Sequence, residues 1–299
     1  MSTELPRISI VIPSYNQGAY IGDTLKSIAE QNYPRLELFV FDGGSKDETV
    51  NIIKQYEHII TYWESVPDRG QSHAINKGFE RATGYLFNWL NSDDLLEPGA
   101  LFHLAGLVQK NPAATLFAGS TRIFNEAGTQ RYSGPVVFSS PEITLGYGQV
   151  NQPSMYYRRD VWKAGEFCNE ALHLCMDLDL WMRYLVTHQQ KNIVSTDFHL
   201  TAFRLHTSSK TLSLGGDGFR REKDQLYKEM FADAASATSQ QQQLIKKSEP
   251  YYHLWRADEF MLQGNFSEAK KSLKAVSFFQ LAASEKRRYL GVYRRLMFN

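Results

Sequence analysis

The strongest constraint on this chain is an alternation of strand and helix signals across its first hundred residues. Ile8-Ser9-Ile10-Val11-Ile12 is a short β-branched run closed by Pro13, which reads as a buried strand. Ile21, Leu25, Ile28 and Ala29 then recur at helical spacing. A second apolar strand, residues 36–41, runs into the turn signal Asp42-Gly43-Gly44. Ser45 and Glu48 stand at capping-box spacing, which predicts a helix starting there and burying Val50, Ile53 and Tyr56. Residues 59–63 predict a third strand, and Ile75, Phe79 and Ala82 a third helix. Residues 85–90 predict a fourth strand, followed by Asn91-Ser92-Asp93-Asp94. Pro98 then sits in the first turn of a helix carrying Leu101, Leu104 and Leu107. This order argues for an α/β fold: a Rossmann-like, mainly parallel sheet with flanking helices. In such sheets ligands bind at the carboxyl ends of the strands. Ser14-Tyr15-Asn16, Asp42, Asp68 and the residues 91–94 are functional candidates by that geometry.

The later sequence changes character twice. Residues 115–157 hold short β-like pieces and turns, which predict an added mixed-sheet region. Residues 177–185 read as a helix with Leu180, Trp181 and Leu185 inward. After Gly215-Gly216 the pattern is helical, with Phe219, Leu226 and Met230 on one face. A glutamine run, 240–243, interrupts it. Helices around 254–262 and through Phe266, Ala269, Leu273 and Val276 follow, parted by Gly264-Asn265, and a last helix carries Leu290, Tyr293 and Leu296. The Gly264 hairpin resembles a single tetratricopeptide unit, and one unit without stacked neighbours is weak evidence for such an array. The expected division is an α/β domain, 1–214, and an all-helical C-terminal region, 215–299.

The net charge of +1 gives no sign of a broad nucleic-acid-binding surface. Cys168 and Cys175 form neither a CxxC pair nor a zinc-like cluster, and two lone buried thiols in a reducing compartment are expected. Residues 1–7 lack a signal-peptide pattern, and no uninterrupted apolar run reaches the roughly 18 residues of a membrane span. The expected location is cytoplasmic, with room for peripheral contact with the inner face of the membrane.

Five motifs occur in order: Pro13-Ser14-Tyr15-Asn16; Asp42-Gly43-Gly44-Ser45-Lys46-Asp47; residues 64–71 continuing to Asn76-Lys77-Gly78; Asn91-Ser92-Asp93-Asp94; and Asp177-Leu178-Asp179-Leu180-Trp181. Together they resemble the family 2 glycosyltransferases of GT-A fold, over residues 6–212. The resemblance implies an inverting, metal-dependent transfer of a sugar from a nucleotide-sugar, a UDP-sugar above all, to an acceptor hydroxyl in polysaccharide or glycolipid synthesis. It places Asp93 at the metal-binding position of the family's Asp-X-Asp motif, with Asp94 flanking it and Asn91 replacing the first aspartate. Hard cations such as Mn2+ or Mg2+ want carboxylate oxygens and neutralise a departing diphosphate.

Pro13, Tyr15, Asn16, Asp42, Asp68, Arg69, Gln71, Lys77 and Ser92 are the expected nucleotide contacts. An aromatic face stacks on a base, and a carboxylate accepts from a base N–H. Many relatives carry a second aspartate where this chain has Gly43. Asp177 matches the general base of the family's Glu-Asp motif, with Met176 in place of the glutamate. Gln152 and Trp181 are expected near the acceptor or donor sugar, and His206, in Arg204-Leu205-His206, near the metal. Each also has a plain structural reading, as a cap, a turn or a core residue.

Two other readings stand beside this one. A nucleotidyltransferase would also hold a metal-bound nucleotide on an α/β sheet, without needing a base at Asp177. A catalytically silent sugar- or nucleotide-binding module would dock a partner through its helical tail. The basic last helix, with Lys286, Arg287, Arg288, Arg294 and Arg295, suits an anionic membrane near a lipid-linked acceptor, or a packed helix with a solvated basic face. The tail equally suits a homodimer interface.

Overall fold

β1 (Ile8–Ser14) is buried along its whole length, and the sheet grows outward from it. The computed structural model describes residues 4–297 apart from 129, 164, 166, 208 and 211–214. β1 pairs in parallel with β2 (Leu36–Asp42) and with β4 (Leu86–Trp89), and β2 pairs in parallel with β3 (Tyr62–Ser65). Ser14 stands opposite Asp42, and Asp42 opposite Ser65, so these strands deliver their carboxyl ends to one edge.

The other half of the sheet is mixed. β8 (Met155–Arg158) runs antiparallel to both β4 and β6 (Leu116–Asn125), and β7 (Gln130–Ser133) folds back on β6. β9 (Ile193–Leu205) is parallel to β6 and receives the short antiparallel β5 (Leu95–Leu96). The order is β3-β2-β1-β4-β8-β6-β9-β5. The α/β class is as expected, and strict parallelism holds only for the first half.

Helices cover this sheet because their apolar residues recur at helical spacing. α1 (Ile21–Ala29) buries Ile21, Leu25 and Ile28, and α4 (Ala100–Lys110) buries Leu101 and Leu104, in one core with Ile8, Ile10, Leu38 and Val40. Each such side chain contributes about 1.5–3 kcal/mol on leaving water. α3 (Gln71–Arg81) lies against β1 at Gly78, where a Cβ would fall 2.3 Å from a Val11 methyl carbon. α2 (Thr49–Gln55) begins later than the Ser45–Glu48 spacing predicts. Ser45 is bound to Asp42, so it serves the preceding turn and not the helix.

The chain divides into two compact units, and not by a single cut near residue 214. The first comprises Met1–Val136, Asn151–Leu180 and Lys191–Glu222, and the second Val137–Val150, Trp181–Gln190 and Lys223–Asn299. α6 (Met176–His188) and α7 (Gly215–Ala232) each begin in the first and continue in the second. In the second unit, α5 (Pro141–Tyr147) shares a core with α8 (Ser239–Leu262), α9 (Phe266–Lys274) and α10 (Ala283–Met297). Gly146 of α5 packs so tightly that a Cβ would lie 2.5 Å from the Ser248 carbonyl oxygen. Gln190 ties in by donating to the Phe138 carbonyl at 2.6 Å. The Lys223 ammonium donates to the Tyr147 and Gly148 carbonyls at 2.8 and 3.0 Å, capping α5 with positive charge.

The glutamine run does not interrupt the helical pattern. It forms the first turns of α8, which Thr238 and Gln241 close with a capping box. Both cysteines are buried, and neither forms a disulfide among the described residues. No helix among the described residues is long and apolar enough to cross a membrane.

Candidate active site

The loops after β1, β2 and β3 meet around Gly43. Gly43 donates its N–H to the Ser14 carbonyl at 2.8 Å, bridging the first two strand ends. Asn16 adopts a left-handed φ of 51°, which asparagine tolerates well, and its side chain accepts the Lys46 N–H at 2.9 Å. The Tyr15 ring is 61% exposed, the state a stacking platform requires. A Cβ at position 43 would lie 3.2 Å from Asp68 Oδ2 and 3.3 Å from Tyr15 Cδ2. Asp68 therefore brings a carboxylate to the space that a side chain at position 43 would fill. Its other oxygen accepts the Gly70 N–H at 2.8 Å at the start of α3.

Asp42 is placed differently from the expectation of a base contact. It is 2% exposed, and four donors converge on it. Oδ2 accepts the Gly44 and Ser45 N–H groups at 3.1 and 2.9 Å and the Ser65 hydroxyl at 2.6 Å, while Oδ1 takes the Ser45 hydroxyl. These bonds use a carboxylate's acceptor capacity, so Asp42 fastens the turn on which Tyr15 and Asp68 stand.

The segment after β4 carries the second cluster. Asp93 Oδ2 lies 2.9 Å from His206 Nε2, and the His206 ring packs on Tyr20 with centroids 4.2 Å apart. Asp94 is fully buried. It accepts the Arg204 N–H at 3.0 Å and the Asn91 amide at 3.1 Å, one oxygen each. Burial, then the Asp93 charge beside it, push its carboxyl well above the usual carboxylate range. Asp94 thus braces the loop from within, contrary to its expected place at the metal beside Asp93. Arg204 completes the brace by donating to the Asp93 carbonyl at 3.1 Å and pairing with Asp23 at 2.8 Å.

No cluster of three or more His, Cys, Asp or Glu side chains suited to a metal occurs among the described residues. Asp93 and His206 offer one hard oxygen and one imidazole nitrogen side by side. The carboxylate suits Mg2+ or Mn2+, which take few protein ligands and fill the remaining positions with phosphate oxygens and water, and the imidazole beside it favours Mn2+ over the oxygen-seeking Mg2+.

Lys210, four residues beyond His206, was not singled out by sequence. Its ammonium donates to Gln71 Oε1 at 2.7 Å, and Gln71 in turn donates to Asn91 Oδ1 at 2.8 Å. Desolvation draws the ammonium below the usual lysine value, and the charges of Glu222, Asp177 and Asp93 oppose that shift. A single cation is thus within electrostatic reach of both the Asp93 cluster and Asp177.

Asp177 stands in the first turn of α6. Burial pushes its carboxyl up to about 6, against the Leu178 N–H that donates to it at 2.8 Å and the Lys210 charge, and with the Glu222 charge. Glu222 accepts the N–H groups of His173 and Leu174 at 3.0 and 2.8 Å and that of Cys175, fixing the approach to the helix.

The remaining expected contacts have mainly internal partners. Arg69 forms a two-pronged pair with Glu170 at 2.8 and 3.0 Å, joining the start of α3 to the segment before α6. Lys77 is paired with Glu64 and lies 5.4 Å from the Phe41 ring centre. Pro13 and Ser92 are buried beside the site. Gln152 is buried, donating to Asn88 Oδ1 at 3.0 Å and to the Trp89 carbonyl at 2.8 Å. Trp181 has no exposed surface and stacks on Tyr184 inside the second unit. Its ring serves packing and presents no face to a sugar.

Comparisons with known proteins identify the family and the fold. The family described as glycosyl transferase family 2 matches residues 9–168. An uncharacterized glycosyltransferase of Rickettsia felis is 27% identical over 208 residues, 65% of this chain and 34% of that protein. The curated relatives are longer, and this chain spans 28% to 60% of the length of five of them. The crystal structure of S. aureus TarS 1-349 in complex with UDP-GlcNAc has a TM-score of 0.65 at 18% identity, covering 92% of this chain and 82% of that one. Mannosyltransferase PcManGT from Pyrobaculum calidifontis, in complex with GDP-Man and Mn2+, has a TM-score of 0.60 at 17% identity, covering 99% and 82%. At such identities these two structures speak for the shared GT-A-like fold alone. The family match spans more than half of the chain and contains the Tyr15, Asp68 and Asp93 loops, and the chain belongs to glycosyl transferase family 2.

Proposed function

We propose that the chain is an inverting glycosyltransferase using a nucleotide diphosphate-sugar, with a UDP-sugar as the first donor to test. The acceptor is a saccharide or lipid-linked hydroxyl of a surface polysaccharide or glycolipid. The observation that carries this reading is that the carboxyl ends of the parallel strands bring the exposed Tyr15 ring, the Asp68 carboxylate and the Asp93–His206 pair to one edge of the sheet.

In this reading the Tyr15 face stacks on the base, and Asp68 Oδ2 accepts from a base N–H. Asp93 and His206 would hold a divalent cation, which when bound supplies positive charge to the diphosphate. Lys210 adds a fixed ammonium to the same leaving group. Asp177 takes the proton of the acceptor hydroxyl. The acceptor oxygen forms its bond to the anomeric carbon from the face opposite the diphosphate. The carbon–oxygen bond to the diphosphate breaks, and its electron pair leaves with the phosphate oxygen. A carboxyl near pH 6 suits this work, because it is ionised at neutral pH yet basic enough to accept a proton.

A thermal-shift panel of UDP, GDP, dTDP and CDP, each with and without Mn2+, tests the donor side. A metal-dependent shift for one nucleotide that disappears in Asp93→Ala supports the reading. Nucleotide binding without turnover of any sugar donor by the full chain would instead favour a silent binding module.

A further inference from the structure

The last helix is divided by charge and apolarity in a way that the transfer reaction does not use. At about 100° per residue, Lys286, Arg287, Leu290, Tyr293, Arg294 and Met297 fall within one arc of about 120°. The opposite side packs inward, with Val292 and Leu296 buried in the core of the second unit. Arg288 and Arg295 stand on the packed flank and share one acid, Asp258 of α8, at 2.8 and 2.7 Å. Among the described residues, Lys286, Arg287 and Arg294 have no ion-pair partner.

The outward arc exposes large apolar groups as well as cations. Met297 is 63% exposed, and Leu290 and Tyr293 are also exposed. The surface continues into the short turn Phe278–Gln280, where Phe279 is 89% exposed. Ring contacts make it continuous: Phe279 meets Phe278 at 5.8 Å, Phe278 meets Tyr289 at 5.2 Å, and Tyr289 stacks on Tyr293 at 6.4 Å. The Lys286 ammonium lies 5.6 Å from the Phe278 ring centre, so cation and aromatic share one patch. Residues 270–297 contain eight Lys or Arg (Lys270, Lys271, Lys274, Lys286, Arg287, Arg288, Arg294, Arg295) against one acid, Glu285, in a chain of net charge +1. The positive charge is therefore concentrated here.

We infer that this face of α10, with the Phe279 turn, docks on an anionic lipid surface. Water alone is a poor partner for a ridge of exposed aromatic and aliphatic groups. A purely apolar protein partner would leave three unpaired cations facing it. An anionic interface accepts both, because the rings and Met297 enter the headgroup boundary while Lys286, Arg287 and Arg294 meet the phosphates. Each cation at such a surface contributes roughly fivefold to partitioning. This inference does not rest on the proposed sugar transfer, and it holds equally for a silent module.

The test is sedimentation of the full chain with vesicles of phosphatidylcholine containing phosphatidylglycerol, against vesicles of phosphatidylcholine alone. Binding to the first, little to the second, and loss of binding in high salt is the expected result. Arg287→Glu with Arg294→Glu lowers binding to anionic vesicles by roughly 25-fold or more, since two attractions are removed and two repulsions added. Phe279→Ser with Leu290→Ser weakens binding while leaving its salt dependence unchanged. Both pairs lie on the surface, and unchanged circular dichroism and melting temperature verify folding. Equal binding to both vesicle types overturns the inference. So does absence of vesicle binding together with a dimer in sedimentation equilibrium that the charge reversals convert to monomer, because the face would then belong to a second copy.

Discussion

The two ends of the candidate site each contain a carboxylate next to a strand end or helix start, Asp42 fully buried and Asp177 half-buried, and the two are treated in opposite ways. Asp42 is saturated: four donors surround it, and it holds a turn in shape. Asp177 is poorly provided for. Two backbone N–H groups of its own turn, those of Asp177 and Leu178, and the Lys210 charge oppose the desolvation that raises it to about 6. A carboxylate that the fold satisfies in full is part of the scaffold. One that the fold buries and leaves short of donors retains an appetite for a proton, which is the property a general base needs.

The largest effect that would break this contrast comes from Asp177→Asn. Turnover is expected to fall roughly 10²- to 10⁴-fold, with nucleotide affinity retained. Steady-state kinetics beside a nucleotide titration checks this, and an equal loss of both would make Asp177 a structural residue like Asp42. The wild-type pH profile should show an acid limb with an apparent pKa of about 6, activity falling below it as the base protonates.

Asp42→Ala should show itself in stability. It strands several donors in a buried turn, at a cost of about 2–4 kcal/mol in denaturant unfolding. Asp68→Ala sharpens the comparison within the nucleotide side. It should weaken nucleotide binding roughly 10- to 100-fold, measured by calorimetry, and alter unfolding by less than about 1 kcal/mol.

The smallest effect concerns the stability of Asp177→Asn. Asp177 has a folded pKa raised above its unfolded value, so its ionised form is disfavoured by folding. That penalty is complete above about pH 6 and vanishes below about pH 4. The asparagine variant should therefore melt roughly 2–4 °C higher than wild type near pH 8, with the difference closing in acid. No difference at either pH would show that the carboxyl is not held against ionisation.

The first half of the sheet was legible because each of its strands is a short apolar run ended by a polar turn, and parallel order follows from the intervening helices. The mixed half was less so, since β5 has only two residues and β7 is an exposed hairpin arm with little hydrophobic signal. Asp93 could be picked out because it follows a recognisable strand within a motif, and Asp177 because its segment resembles the family's Glu-Asp motif. Lys210 could not, because a lysine in a polar loop acquires meaning only when Gln71, 139 residues earlier, is found beside it. Glu222 lies inside a helix, and the backbone groups it holds are 47 to 49 residues away, a pairing that periodicity does not encode. Asp42 misled for a chemical reason: tight turns and base contacts both use an aspartate before glycines. Trp181 is inward as its place on the helix predicts, and a fully buried indole does not reach the sugar with which its motif also associates it.

The Asn91–Asp94 contact bears on how this sequence can be redesigned. An aspartate at position 91 would complete the Asp-X-Asp motif that the sequence resembles. Here the Asn91 amide donates to a fully buried Asp94 and its carbonyl accepts from Gln71. A carboxylate in its place would set one acid against another in a dry interior, and one of the two would have to keep a proton. The asparagine thus fits Asp94, and an aspartate at 91 would need a second change at 94 to be tolerated.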